Sequence, residues 1–222
     1  MARRIITRTT DSLVAPDATE RATAASLWGS ADAHDGFMAN WLAMSRIELR
    51  QPPQGRSSGQ TRIAAWNLER CKKPLASEDI IRDCGVDILL ATELDIGMAR
   101  SGQAHTPEEL AGHLDYGYAF GVEFVELGIG DTHETQLFKD LENECGFHGN
   151  AIFSRYPIRN AALIPIDDGG EWFVRAPKND GQHRVGGRMA IAAELETPDG
   201  PLAVAAVHYE SESTPATRGE QT

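Results

Sequence analysis

Residues 61–95 read TRIAAWNLERCKKPLASEDIIRDCGVDILLATELD, and their pattern is strand, helix, strand. Ile63, Ala64, Ala65 and Trp66 form a short apolar run closed by Asn67, and residues 87–92 form a second run closed by Glu93. Runs this short, partly β-branched and bounded by polar or turn residues suit strands buried on both faces. Between them Ser77 is placed to cap a helix whose first turn carries Glu78 and Asp79, and Gly85 is placed to end it. A helix-length crossover between buried strands predicts parallel pairing, so both strands end on the same edge of the sheet. Asn67 and Glu93 are then neighbours.

A carboxylate at the end of a nearly apolar strand is costly without a partner, and a hard cation such as magnesium is one partner that offsets the cost. Asn67 would supply a neutral oxygen beside it. The plainer alternative is that Glu93 pairs with an arginine and Asn67 closes a turn.

The chain has 222 residues and a formal net charge of −12. That length usually makes one domain with a buried core, and that charge argues against a protein that coats nucleic acid, where Lys and Arg must displace counterions. It leaves room for an enzyme that grips a few phosphates. Cys71, Cys84 and Cys145 are scattered, and neither a disulfide framework nor a zinc site follows from them or from His148. Arg3 and Arg4 precede no apolar signal core and no run reaches membrane-span length, so a cytoplasmic protein is expected.

Residues 1–60 read as an N-terminal extension with weak helices at 18–28 and 37–49, the second carrying Phe37, Trp41, Met44 and Ile47 on one face. Residues 51–60, with Pro52, Pro53, Gly55 and Gly59, read as a linker, which sets a domain boundary near Thr61 and a domain at 61–222. Beyond Glu93 the pattern predicts a loop at 96–106, a helix at 107–114 capped by Thr106, strands at 116–127, 147–154 and 161–166, and a helical turn near 136–142. A glycine-rich excursion at 167–187 is followed by strands at 189–196 and 202–209, joined through Pro198, Asp199 and Gly200. Early alternation of strand and helix followed by hairpin strands points to an α/β or α+β domain with a mixed sheet.

Four segments put a polar residue in or at the end of an apolar strand: Trp66-Asn67-Leu68-Glu69, Ala91-Thr92-Glu93-Leu94, residues 149–158 from Gly149-Asn150 through Ser154-Arg155-Tyr156-Pro157, and Val207-His208-Tyr209-Glu210. In this order the chain from Thr61 onward resembles the endonuclease/exonuclease/phosphatase superfamily, which includes pancreatic deoxyribonuclease and inositol polyphosphate 5-phosphatases. The resemblance implies a four-layer αββα sandwich, incomplete in this chain, and metal-dependent cleavage of a phosphoester. It implies Glu93 as principal ligand of magnesium, with manganese an alternative, and Asn67 as part of the metal and phosphate site. By the same likeness His208 donates to a nonbridging phosphate oxygen, Arg188 contacts phosphate, and Asn150 supports the catalytic site. The implied substrate is a phosphate ester, either nucleic acid or an inositol phosphate or phospholipid. Arg175, Lys178 and Arg184 join Arg188 as candidates to line its pocket.

The family's later pattern, a Gly-Asp-x-Asn strand end and a final Asp-His pair, is absent, and Asp180, Asp199 and His183 do not replace it. Those residues orient and deprotonate the attacking water in relatives. The chain therefore reads as the first part of a longer domain, nearly inactive alone and exposing sheet faces that further strands would cover. The competing reading is a noncatalytic binding module of the same fold.

Overall fold

The computed structural model describes residues 4–53, 59–166, 170–175, 182–209 and 219. Its strands are β1 (Thr9–Thr10), β2 (Ile47–Arg50), β3 (Ile63–Arg70), β4 (Ile88–Ile96), β5 (Gly117–Glu126), β6 (Phe147–Ser154), β7 (Ile158–Pro165), β8 (Arg184–Gly186), β9 (Met189–Thr197) and β10 (Gly200–Val207). The helices are α1 (Ala18–Ser26), α2 (Ala31–Asn40), α3 (Pro74–Asp83), α4 (Thr106–Leu114), α5 (Thr132–Leu137) and α6 (Glu171–Val174). One sheet runs β1-β2-β5-β6-β4-β3, with β8 also on β5; the other runs β10-β9-β7.

The opening unit folds as expected: β3 and β4 pair in parallel with Asn67 opposite Thr92. Its helix starts earlier than Ser77, because Pro74 occupies the first turn, where its missing N–H costs nothing. Gly85 follows the helix at φ +62°, a left-handed position that glycine takes at little cost.

Alternation in the strands divides the core in two. Leu89, Ala91, Phe120, Val122, Ala151 and Phe153 face a cluster that includes residues of α1, α3, α4 and α6. Ile88, Ala119 and Ile152 face Leu163, Ile191 and Leu195 of the second sheet. Each such side chain, fully buried, contributes about 1.5–3 kcal/mol by leaving water. The result is a mixed α/β architecture of helices on the first sheet and the first sheet on the second. Among the described residues these are three of the four expected layers, with no helix on the far face of the second sheet.

Residues before Thr61 do not form a separate extension. Ile47–Arg50 pair antiparallel with Tyr118–Gly121, and Ile6 bridges to Leu163. The expected helix at 37–49 is α2, a 3-10 turn at Leu42–Ser45 and then β2, because the chain turns extended at Trp41 (ψ 118°) and again at Arg46. The apolar stripe recorded burial correctly and helix incorrectly. Of the expected linker, 54–58 lie outside the described residues.

Smaller differences are also local. His105 rather than Thr106 caps α4, the turn after β5 is a helix at Thr132–Leu137 capped by Asp131, and β7 starts at Ile158. The expected loop at 96–106 contains a 3-10 turn at Ala99–Ser101, and the excursion at 167–187 contains α6 and β8. The strand expected to stop at Glu93 runs on to Ile96.

Candidate active site

That continuation is what aims Glu93. With regular alternation Glu93 would follow Leu89 and Ala91 into the helix-side core. The register instead shifts between Ala91 and Leu94, Leu94 takes the core position, and Glu93 adopts φ +58°. A β-bulge of this kind re-aims a side chain at the cost of left-handed strain in a non-glycine residue, about 1–2 kcal/mol. Other strands shift at the same level, β3 between Asn67 and Arg70 and β5 between Val122 and Phe124. β3, β4 and β5 thus break together, with β6 between the last two.

The second sheet closes the site. In the β9–β10 hairpin Val207 lies opposite Ala190, so Arg188 and His208, just outside the paired ends, come together. Asn67 Nδ2 donates to Glu93 Oε1 at 2.8 Å, and His208 Nε2 lies 3.6 Å from the same oxygen. Arg188 Nη1 is 3.1 Å from His208 Nδ1 and donates to Glu123 Oε1 at 2.7 Å. A guanidinium can only donate, so Nδ1 of His208 accepts and its proton sits on Nε2, facing Glu93. The four residues picked out as neighbours of metal and phosphate, Asn67, Glu93, Arg188 and His208, therefore form one line across both sheets.

Burial alone would raise the Glu93 carboxyl. The Asn67 amide bond and the fields of His148, His208 and Arg70 outweigh it and hold the group below its ordinary range. Asn67 Oδ1 accepts from Glu69 N at 3.0 Å, so the amide grips Glu93 with nitrogen and its own bulge with oxygen. The plain alternative for Asn67, closing a turn, is thus combined with its bond to Glu93.

A second layer of charge lies alongside. Arg100 Nε and Nη2 donate to both oxygens of Asp95 at 2.8 and 3.0 Å, and Nη1 donates to Glu134 at 3.2 Å. Arg70 pairs with Glu134 from β3. His148 Nδ1 is 2.7 Å from Asp95 Oδ1 and its ring stacks on Phe124 at 4.7 Å. Burial opposes the ionisation of Asp95, but the Arg100 and His148 bonds prevail and hold it far below the usual carboxylate range. The sequence reading missed Glu123, Asp95 and Arg100 as parts of the site. Asp95, two residues beyond Glu93 in an apolar strand, was the available signal.

Other expected residues lie elsewhere. Asn150 is fully buried between the sheets, where Nδ2 approaches the Met189 carbonyl at 3.4 Å and Oδ1 has no protein hydrogen-bond partner. Arg184 pairs with Glu126 at 3.0 Å and lies over Phe124, next to Trp172. Arg175 is exposed and paired with Glu171, while Lys178 and Asp180 lie outside the described residues. His183 stacks on Trp28.

No family model and no curated protein matches the sequence. Among solved structures the chain is similar to an endonuclease/exonuclease/phosphatase from Bacteroides vulgatus, with 12% identity and a TM-score of 0.44 over 72% of this chain and 56% of that one. It is also similar to an endonuclease/exonuclease/phosphatase family protein from Leptotrichia buccalis C-1013-b, with 12% identity and a TM-score of 0.43 over 72% of this chain and 61% of that one. The chain thus spans 56% and 61% of the lengths of these two structures.

Proposed function

We propose that the line Asn67–Glu93–His208–Arg188 is the metal- and phosphate-binding part of a phosphoesterase active site, of nuclease or phosphatase class. The observation that carries this reading is the assembly itself. Three strands shift register to bring one ionised carboxylate onto the open face, and the hairpin of the other sheet delivers an N–H and a guanidinium beside it.

The donor set suits magnesium. One carboxylate with a neutral amide beside it is how that ion is commonly held, since it keeps several waters and takes its remaining ligands from substrate phosphate. Among the described residues no cluster of three or more His, Cys, Asp or Glu forms a closed cage, as calcium or zinc would favour. Glu93 would hold the ion and Asn67 would fix the carboxylate's direction. When bound, magnesium would supply Lewis-acid stabilisation of the charge that gathers on phosphoryl oxygens. His208 Nε2–H and the Arg188 guanidinium supply the matching donors, and Glu123 fixes the arginine. A phosphodiester or phosphomonoester satisfies this set equally well.

The test is a titration of the chain with magnesium and manganese, read by thermal unfolding, beside hydrolysis of bis(4-nitrophenyl) phosphate, plasmid DNA and inositol phosphates. Wild type is expected to gain Tm with either ion, and Glu93→Gln to lose the gain. A noncatalytic binding module instead predicts no response to the ions, no turnover of any substrate, and partner binding unchanged in Glu93→Gln.

A further inference from the structure

We infer that His148, held by Asp95, is a proton acceptor of this site. The inference rests on the phosphoesterase reading. His148 lies on β6 opposite Asp95 in the ladder, two residues past Glu93. Arg100 Nη2 lies 3.2 Å from the same Nδ1 but already donates to Asp95 Oδ1 at 3.0 Å, and the shorter 2.7 Å contact of Nδ1 with that ionised oxygen places the ring proton on Nδ1. Nε2 is then a bare lone pair.

Three further features fit that role. Asp95 is itself fixed by Arg100 on both oxygens and by the Ser101 hydroxyl, so it can only orient the ring, the arrangement that suits a carboxylate behind a catalytic imidazole. The Phe124 ring stacked at 4.7 Å fixes the plane of the imidazole. The ring is buried and the Arg100 guanidinium lies against it, an environment that disfavours a second proton. Both nitrogens of His208 are engaged, with Arg188 and toward Glu93, whereas His148 Nε2 makes no hydrogen bond among the described residues.

The step balances without another reagent. His148 Nε2 takes a proton from water as the water oxygen bonds to phosphorus. The ester oxygen departs with the electron pair of its P–O bond and is protonated from solvent, and the imidazolium returns its proton to solvent.

Two measurements test this on the 222-residue chain. Long-range proton–nitrogen spectra of histidine-labelled protein should show His148 with a proton on Nδ1 and none on Nε2 at neutral pH. A proton on Nε2, or on both nitrogens, overturns the inference and leaves the phosphoesterase reading intact. With magnesium and bis(4-nitrophenyl) phosphate, His148→Gln should lose about 100-fold or more in kcat with KM little changed, and His148→Ala should regain turnover when free imidazole is added. Turnover by His148→Gln within about threefold of wild type, or no rescue of a folded His148→Ala, overturns the assignment of His148 alone. Absence of turnover by wild type overturns the inference, and absence of any magnesium-dependent gain in Tm as well removes the phosphoesterase reading.

Discussion

Gly149 stands beside the register shift that aims Glu93, paired with Leu94 on one side and Val122 on the other. A Cβ there would collide with the Gly121 carbonyl oxygen and press on the Phe120 ring. Neither obstacle is a flexible side-chain end, so the ladder itself must shift. Gly149→Ala is expected to cost roughly 2–4 kcal/mol in urea unfolding, through overpacking and lost strand pairing. The thermal response to magnesium should fall with it, because β4 and β6 together set the direction of Glu93. Gly112 is the internal contrast, exposed on α4 with open space around a would-be Cβ. Gly112→Ala should raise stability by about 1 kcal/mol, the helix-propensity difference.

At the scale of elements, the N-terminal segment is joined to the domain by a titratable contact. Glu48 on β2 is buried, with His105 Nε2 2.8 Å away, the Tyr118 hydroxyl donating to it and Leu13 N donating at 2.9 Å. Burial alone would raise Glu48 and lower His105, but their mutual bond and these donors reverse both, leaving Glu48 below and His105 above their ordinary values of 4.5 and 6.5. The Glu48 contribution is present above 4.5 and fades as pH falls through its lowered pKa, while the His105 contribution is present below 6.5 and fades as pH rises through its raised one. Both are therefore in force between those values. Denaturant unfolding from about pH 6 to about pH 9 should show wild type losing more stability than His105→Gln; equal losses would mean that the pair does not stabilise the fold.

The same segment shows what could be read from sequence. Phe37, Trp41, Met44 and Ile47 announced an inward face, and all four do pack into the core, but nothing in their spacing marked the two breaks that separate a helix, a 3-10 turn and a strand. Asn67, Glu93, Arg188 and His208 stood out because each ends or opens an apolar strand and matches the family likeness, and the structure brings the four together. Glu123 and His148 were not, since within a strand their neighbours suggested simple alternation. The shift that aims Glu93 likewise uses left-handed backbone that no glycine signals.

On the scale of the whole molecule, the two sheets leave edges on the same side that no other strand pairs among the described residues. β3 ends the first sheet, β10 ends the second, and β10 packs chiefly over β4 and β6. Ile63, Ala65 and Asn67 on the inner face of β3 are exposed, Ile63 by 49%, although Ile63 faces the same way as the buried Ile88 beside it on β4. Apolar side chains beside an unpaired strand edge template pairing with another chain. Sedimentation of the wild-type chain should therefore show association that grows with concentration, and Ile63→Lys should suppress it. Because Ile63 is already half in water, the substitution removes little buried area and should change unfolding stability by no more than about 0.5 kcal/mol. A monomeric wild type at all concentrations would show that this face is protected by the charges of the site, and association that persists in Ile63→Lys would move the contact to the β10 edge.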